Sequence, residues 1–164
     1  MSDALRSARD RDRAGRARNA RPRDSLGRPL PYGAEGVPQI PDDLDLTPAE
    51  TVDEAQRLLD DGLPFQAHEV LEAAWKTAGP ETRELWRALA QYGAGLTHAK
   101  RGNARGAVSL LERAADNIAR WIGDPPAELD VRGLQHHAFR LAARIEQEGI
   151  EAMTEDDLRP TLRR

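Results

Sequence analysis

The chain has 164 residues, enough for one domain with a sizeable core. It contains no cysteine, which excludes disulfides, cysteine-ligated zinc and iron–sulfur clusters. Its net charge of −4 conceals an asymmetry: residues 1–28 hold nine Arg against four Asp, a net of +5, which leaves −9 on the rest.

No apolar run approaches the roughly 20 residues of a membrane span. The charged N-terminus also lacks the apolar stretch of a secretory signal. A cytoplasmic protein without membrane contact is therefore expected. Residues 1–43 read as a disordered basic tail and proline-rich linker, with Pro29, Pro31, Pro38 and Pro41 and few large apolar residues. Nucleic acid is one partner such a tail can touch, although Asp is interspersed and no aromatic precedes Tyr32.

Residues 44–150 read as a helical bundle domain and 151–164 as a C-terminal tail. Thr47-Pro48-Ala49-Glu50 has the form of a capping box with proline at the first helical position. The first helix carries Val52, Ala55, Leu58 and Leu59 and stops at Gly62. Pro64 opens the second, with Phe65, Leu71 and Trp75 apolar, up to Gly79-Pro80. A third spans about Glu81 to Lys100, with Leu85, Leu89, Tyr92 and Leu96 at helical spacing. Gly102 stops it and Asn103 can cap the fourth, which carries Leu111, Ala114, Ala115 and Ile118. A fifth runs from about Leu129 to Glu148. Nothing alternates with period two, so the fold class is all-α.

Gly62-x4-Ala67-x3-Leu71-Glu72-x-Ala74 repeats as Gly102-x4-Ala107-x3-Leu111-Glu112-x-Ala114. The repeat predicts two tetratricopeptide-like helical hairpins with helix five as a C-terminal cap. Hairpins of this kind commonly serve protein contacts, and a homo-oligomer through an exposed face is also open.

The chemistry-bearing residues concentrate in Phe65-Gln66-Ala67-His68-Glu69-x-x-Glu72-x-x-Trp75 and in Gln91 through Arg105. His68 and Glu72 are one helical turn apart and share a side. The sequence resembles the zinc-protease pattern H-E-x-x-H, but glutamate replaces the second histidine. Gln91 and His98, seven apart, share a side of the third helix. His68, Glu72 and His98 are the candidate ligands of a divalent metal, with Glu69 as the general base for a bound water. The alternative is a hydrogen-bonded network that fixes helix register or orients a ligand. Trp75 can wall a small pocket, and Arg105 with the start of the fourth helix can hold a carboxylate or phosphate. Arg105 can equally pair with Glu69 or Glu72 inside the bundle. Gly93 and Gly95, costly in a helix interior, point to close helix approach. His136 and His137 point about 100° apart and read as surface or interface residues.

Taken together, Gly62-x-x-Phe65-x-Ala67-His68-Glu69-x-Leu71-Glu72-x-x-Trp75, Leu89-x-Gln91 and His98-x-x-Arg101-Gly102-Asn103-x-x-Gly106-Ala107 resemble the domain-of-unknown-function family 309. The resemblance covers about residues 50–120 and implies a compact helical bundle of the kind found in small bacterial, archaeal and plastid proteins. It marks His68, Glu69, Glu72, Trp75, Gln91, His98, Gly102 and Asn103 as hallmark positions and implies no activity. The chain departs from the pattern at Arg87-Ala88, where the family often has Gln-Gly. Three functions follow as expectations. The first is a binding or scaffold module whose His/Glu cleft takes a partner peptide or small anionic ligand. The second is a metal-dependent, hydrolytic enzyme, and the third is nucleic-acid contact through the tail.

Overall fold

Thr47 starts the first helix as its spacing predicts: its hydroxyl accepts from Glu50 N–H, and the Glu50 carboxylate accepts from Thr47 N–H at 2.8 Å. The computed structural model describes residues 22–41 and 43–164. Among them five α-helices form, α1 (Pro48–Asp60), α2 (Pro64–Thr77), α3 (Arg83–Lys100), α4 (Ala104–Arg120) and α5 (Val131–Glu148). Short 3-10 turns follow at Pro126–Glu128, Ile150–Ala152 and Asp156–Leu158, and the described residues contain no strand beyond isolated bridges. The protein is all-α. None of these helices is long and apolar enough to cross a membrane.

Gly62 and Gly102 end α1 and α3 in the left-handed region, at φ +74° and +79°, where a side chain would strain the backbone. Three helix ends differ from the sequence reading, and one is the start of the third helix, at Arg83 and not at about Glu81. The second helix stops at Thr77, before Gly79. The fifth starts at Val131, because the Asp130 carboxylate accepts from Gly133 N–H and makes Asp130 the cap.

Each helix packs chiefly on its neighbours in sequence, and α3 lies between α2 and α4. Leu85, Trp86, Leu89, Tyr92 and Leu96 of α3 are buried at the centre. Each such side chain removed from water stabilises the fold by roughly 1.5–3 kcal/mol. Small residues set the spacing. A Cβ on Gly93 would stand 3.0 Å from His68 Cα in α2, and one on Gly95 would stand 2.9 Å from the Leu111 side chain in α4. Residues 93 and 95 lie about 100° to either side of Ala94. The two glycines therefore let α2 and α4 close in on opposite flanks of α3.

Residues 150–164 return across the bundle. Leu158 and Leu162 are buried, and the Gln56 amide brackets this segment, accepting from Leu162 N–H at 2.7 Å and donating to Pro160 C=O at 3.1 Å. Arg163 reaches Asp53 and the carbonyls of Ala127 and Ala49, tying the C-terminus to α1 and the α4–α5 loop. At the other end, residues 22–30 form a turn laid over Phe65. Leu30 N–H donates to Pro22 C=O at 2.7 Å and Val37 N–H to Arg23 C=O at 2.9 Å. Gly27, at φ +75°, lies directly against the Phe65 ring, and the contact leaves no room for a Cβ. The arginines up to Arg21 lie outside the described residues.

Candidate functional site

With α2 and α4 against its flanks, α3 presents one outward stripe: Arg87, Gln91, Ala94 and His98, continued by Arg101 at its cap. The spacing of four, three, four and three residues is that of a single helix face. Most of the polar residues that the sequence singled out line this face or its walls. Ala94, half-buried, lies at the middle of the stripe.

On the α2 wall, His68 Nδ1–H donates to the Ala90 carbonyl of α3 at 2.7 Å, and Nε2 lies 3.4 Å from a Glu72 carboxylate oxygen. Lys76 Nζ lies 3.4 Å from the other Glu72 oxygen. Burial alone depresses the His68 pKa. The Glu72 hydrogen bond, the Ala90 carbonyl and the charges of Glu72 and Glu69 outweigh it, and the net direction is upward. Glu72 is correspondingly lowered to about 2, first by the hydrogen bond from His68 and against its own partial burial. His68 thus ties α2 to the α3 backbone through the Ala90 carbonyl, and its protonated form pairs with Glu72. Glu69 is half-buried beside them and contributes charge to His68. At the far end of this wall, the Arg87 guanidinium sits over the Trp75 ring, 5.9 Å from its centroid.

On the α4 wall, Asn117 Nδ2–H donates to Gln91 Oε1 at 2.8 Å. Asn103 Oδ1 caps α4 by accepting from Gly106 N–H at 3.0 Å, and its Nδ2–H donates to His98 Nδ1 at 2.9 Å. That bond requires a lone pair on Nδ1. Its geometry agrees with a His98 pKa lowered by burial and then by the charge of Arg101. A Cβ on Gly106 would stand 2.6 Å from Asn103 Nδ2 and 2.9 Å from His98 Nδ1. The run His98 to Gly106 is thus one device: a histidine, a turn glycine, a capping asparagine and a glycine leaving room for both.

These observations part the candidates that the sequence grouped together. His68 and Glu72 do meet. His98 and Gln91 instead engage α4, and among the described residues no group of three or more His, Asp or Glu gathers to hold a metal ion. Arg105 is also corrected. It is exposed and lines a groove of about 730 Å³ between α4 and α5, with Val108, Asp116 and Glu146, instead of entering the bundle. The Glu72 carboxylate is taken by His68 and Lys76.

Residues 52–110 match the model of the domain of unknown function DUF309. This stretch belongs to that family. The DUF309 segment contains α2, α3 and the start of α4, and so both walls of the face down to Leu110. No curated protein and no solved structure matches the chain.

One polar centre escaped the sequence reading. His137, read as a surface or interface residue, is half-buried within the chain: its Nδ1 accepts from the Tyr92 hydroxyl of α3, and its Nε2–H donates to the Asp157 carbonyl at 2.9 Å. Both ring nitrogens are satisfied in the neutral form, and burial lowers its pKa, with Arg140 adding to the effect. The returning C-terminal segment creates this site. His136, its neighbour, is exposed as expected. The only signal in the sequence was Tyr92, a phenol inside an apolar stripe that needs a polar partner.

Proposed function

We propose that the protein is a binding module whose α2–α3–α4 face receives an anionic partner, an acidic peptide or a small anionic ligand. The observation that carries this reading is the single outward stripe of α3, where Arg87 and Arg101 stand at either end of Gln91 and His98. Lys76 and Arg23 add positive charge at its margins, while Glu72 is neutralised within the face by His68 and Lys76. The remainder of the chain beyond residue 28 carries −9, so the attraction for anions is local to the arginines of this face.

A metal-dependent hydrolytic role is the weaker reading, because His98 faces Asn103 of the α4 cap and does not join His68 and Glu72. The test is affinity capture with the full chain. It compares the parent protein, an Arg87→Glu/His98→Ala variant and a variant changed only at exposed Ile122. Loss of a defined anionic partner from the first variant alone, at an unchanged melting temperature, is the expected result. The same captured set from all three overturns it.

A further inference from the structure

At the Arg101 end of the face, residues 22–30 bring charge of one sign together. Arg101 Nε–H donates to the Leu26 carbonyl at 2.7 Å, and its guanidinium stands 5.9 Å from the Phe65 centroid. Arg23 stands 5.1 Å from the same centroid. Arg28 closes the turn through its backbone, with N–H to Asp24 Oδ1 at 2.9 Å and C=O from Asp24 N–H at 3.0 Å. Among the described residues the nearby carboxylate is Asp24, and it is committed to backbone N–H groups, those of Leu26 and Arg28. Among the described residues, the two outer nitrogens of Arg101 have no hydrogen-bond partner.

The arrangement is electrostatically costly as it stands. The Arg101 pKa is pulled down, first by burial and then by the charges of Arg28 and Arg23, against a smaller opposing pull from Asp24. Packing on Phe65 and the Leu26 carbonyl hold the guanidinium there. A guanidinium with its outer N–H pair unpaired, beside a second one, matches the forked geometry of a phosphate. The α4 N-terminus begins three residues further on, and its dipole favours the same sign of ligand.

We propose that Arg101, beside Arg23 over the Phe65 ring and with Arg28 on the same turn, forms a phosphate-binding corner that seats the backbone of a single-stranded nucleic acid. The proposal rests on the reading of this face as a binding surface. A polynucleotide is favoured over a free phosphate because residues 1–21 add seven Arg against three Asp immediately before the corner.

The experiment is fluorescence anisotropy of the full-length chain with a labelled 20-nucleotide single strand across a salt series, competed with inorganic pyrophosphate. Arg28→Gln, at a side chain with no hydrogen-bond partner among the described residues, and Arg101→Gln are compared with Arg105→Gln on the far side of α4. The expected result is a Kd raised about tenfold in the Arg28→Gln/Arg101→Gln pair, a salt slope smaller by about 1 to 2, and no change in Arg105→Gln. Binding of pyrophosphate alone, lost in the same two variants, keeps the corner and makes the source a small phosphate compound. Oligonucleotide binding equal in all variants assigns it to the tail and overturns the corner. Absence of binding by either probe also overturns it, and leaves intact a face that still captures a partner through Arg87 and His98.

Discussion

His68 and His137 contact α3 at different positions, the Ala90 carbonyl and the Tyr92 hydroxyl, and their surroundings push their pKa values in opposite directions. His68 meets a carboxylate and a carbonyl, two acceptors, which raise its pKa against the effect of burial. His137 meets one donor, the Tyr92 hydroxyl, and one acceptor, the Asp157 carbonyl, a pairing that only the neutral ring satisfies. Each histidine joins two segments of the chain. Their protonation states follow from the donor or acceptor character of the partner, which residue type alone does not reveal.

The largest expected effect comes from prying open the His68 side. Gly93→Val places a branched side chain against the His68 backbone, where no flexible group can give way. A loss of about 2–4 kcal/mol is expected by denaturant unfolding. A loss under 1 kcal/mol would mean that α2 and α3 are not held at this spacing. On the other side, Tyr92→Phe removes the donor to His137 while preserving ring volume. It should cost about 1–2 kcal/mol and raise the His137 pKa, as read by NMR titration. An unmoved His137 resonance would remove the phenol from this node.

Glu72→Gln should lower the His68 pKa and cost about 1 kcal/mol, since the pair is partly solvent-screened. It should leave His137 untouched, which is what makes the two sites separable. The pH dependences have opposite signs. The folded pKa of His68 is raised, so its stabilisation is complete below the unfolded value of about 6.5 and fades as pH rises through the folded value. The folded pKa of His137 is lowered, so its contribution is complete above about 6.5 and fades as pH falls towards the folded value. His98 adds to the second sign. His68→Ala should therefore leave a protein whose stability rises with pH near 6.5. Glu72, at about 2 in the folded state, loses its contribution only as pH falls below the ordinary carboxylate range. The smallest effect belongs to Arg105→Ala, within about 0.5 kcal/mol and without influence on either histidine.

Local signals made the helical frame legible. Thr47, Pro48 and Glu50 announce a helix start within four residues, and Gly62 and Gly102 announce stops, because caps and left-handed turns are decided by neighbours in sequence. The periodicity of Leu85, Leu89, Tyr92 and Leu96 placed the buried face of α3, and Gly93 and Gly95 pointed to close packing before their neighbours were known. The one-turn pairing of His68 with Glu72 was legible for the same reason. Whether His98 would join them was not. A separation of seven residues places Gln91 and His98 on one side of α3 but does not say which helix that side meets.

The sequence by itself therefore determined the five helices, most of their ends to within two or three residues, the apolar stripes and the pool of polar residues that line one face, since each depends on spacings of a few residues. Tertiary structure decided which partner each polar group received. It paired Gln91 with Asn117, turned Arg105 out to the α4–α5 groove, and laid residues 22–30 over Phe65. It also drew His137 inward under a C-terminus that returns from 20 residues away. Those pairings depend on where distant segments cross, and the protonation states of the histidines follow from them.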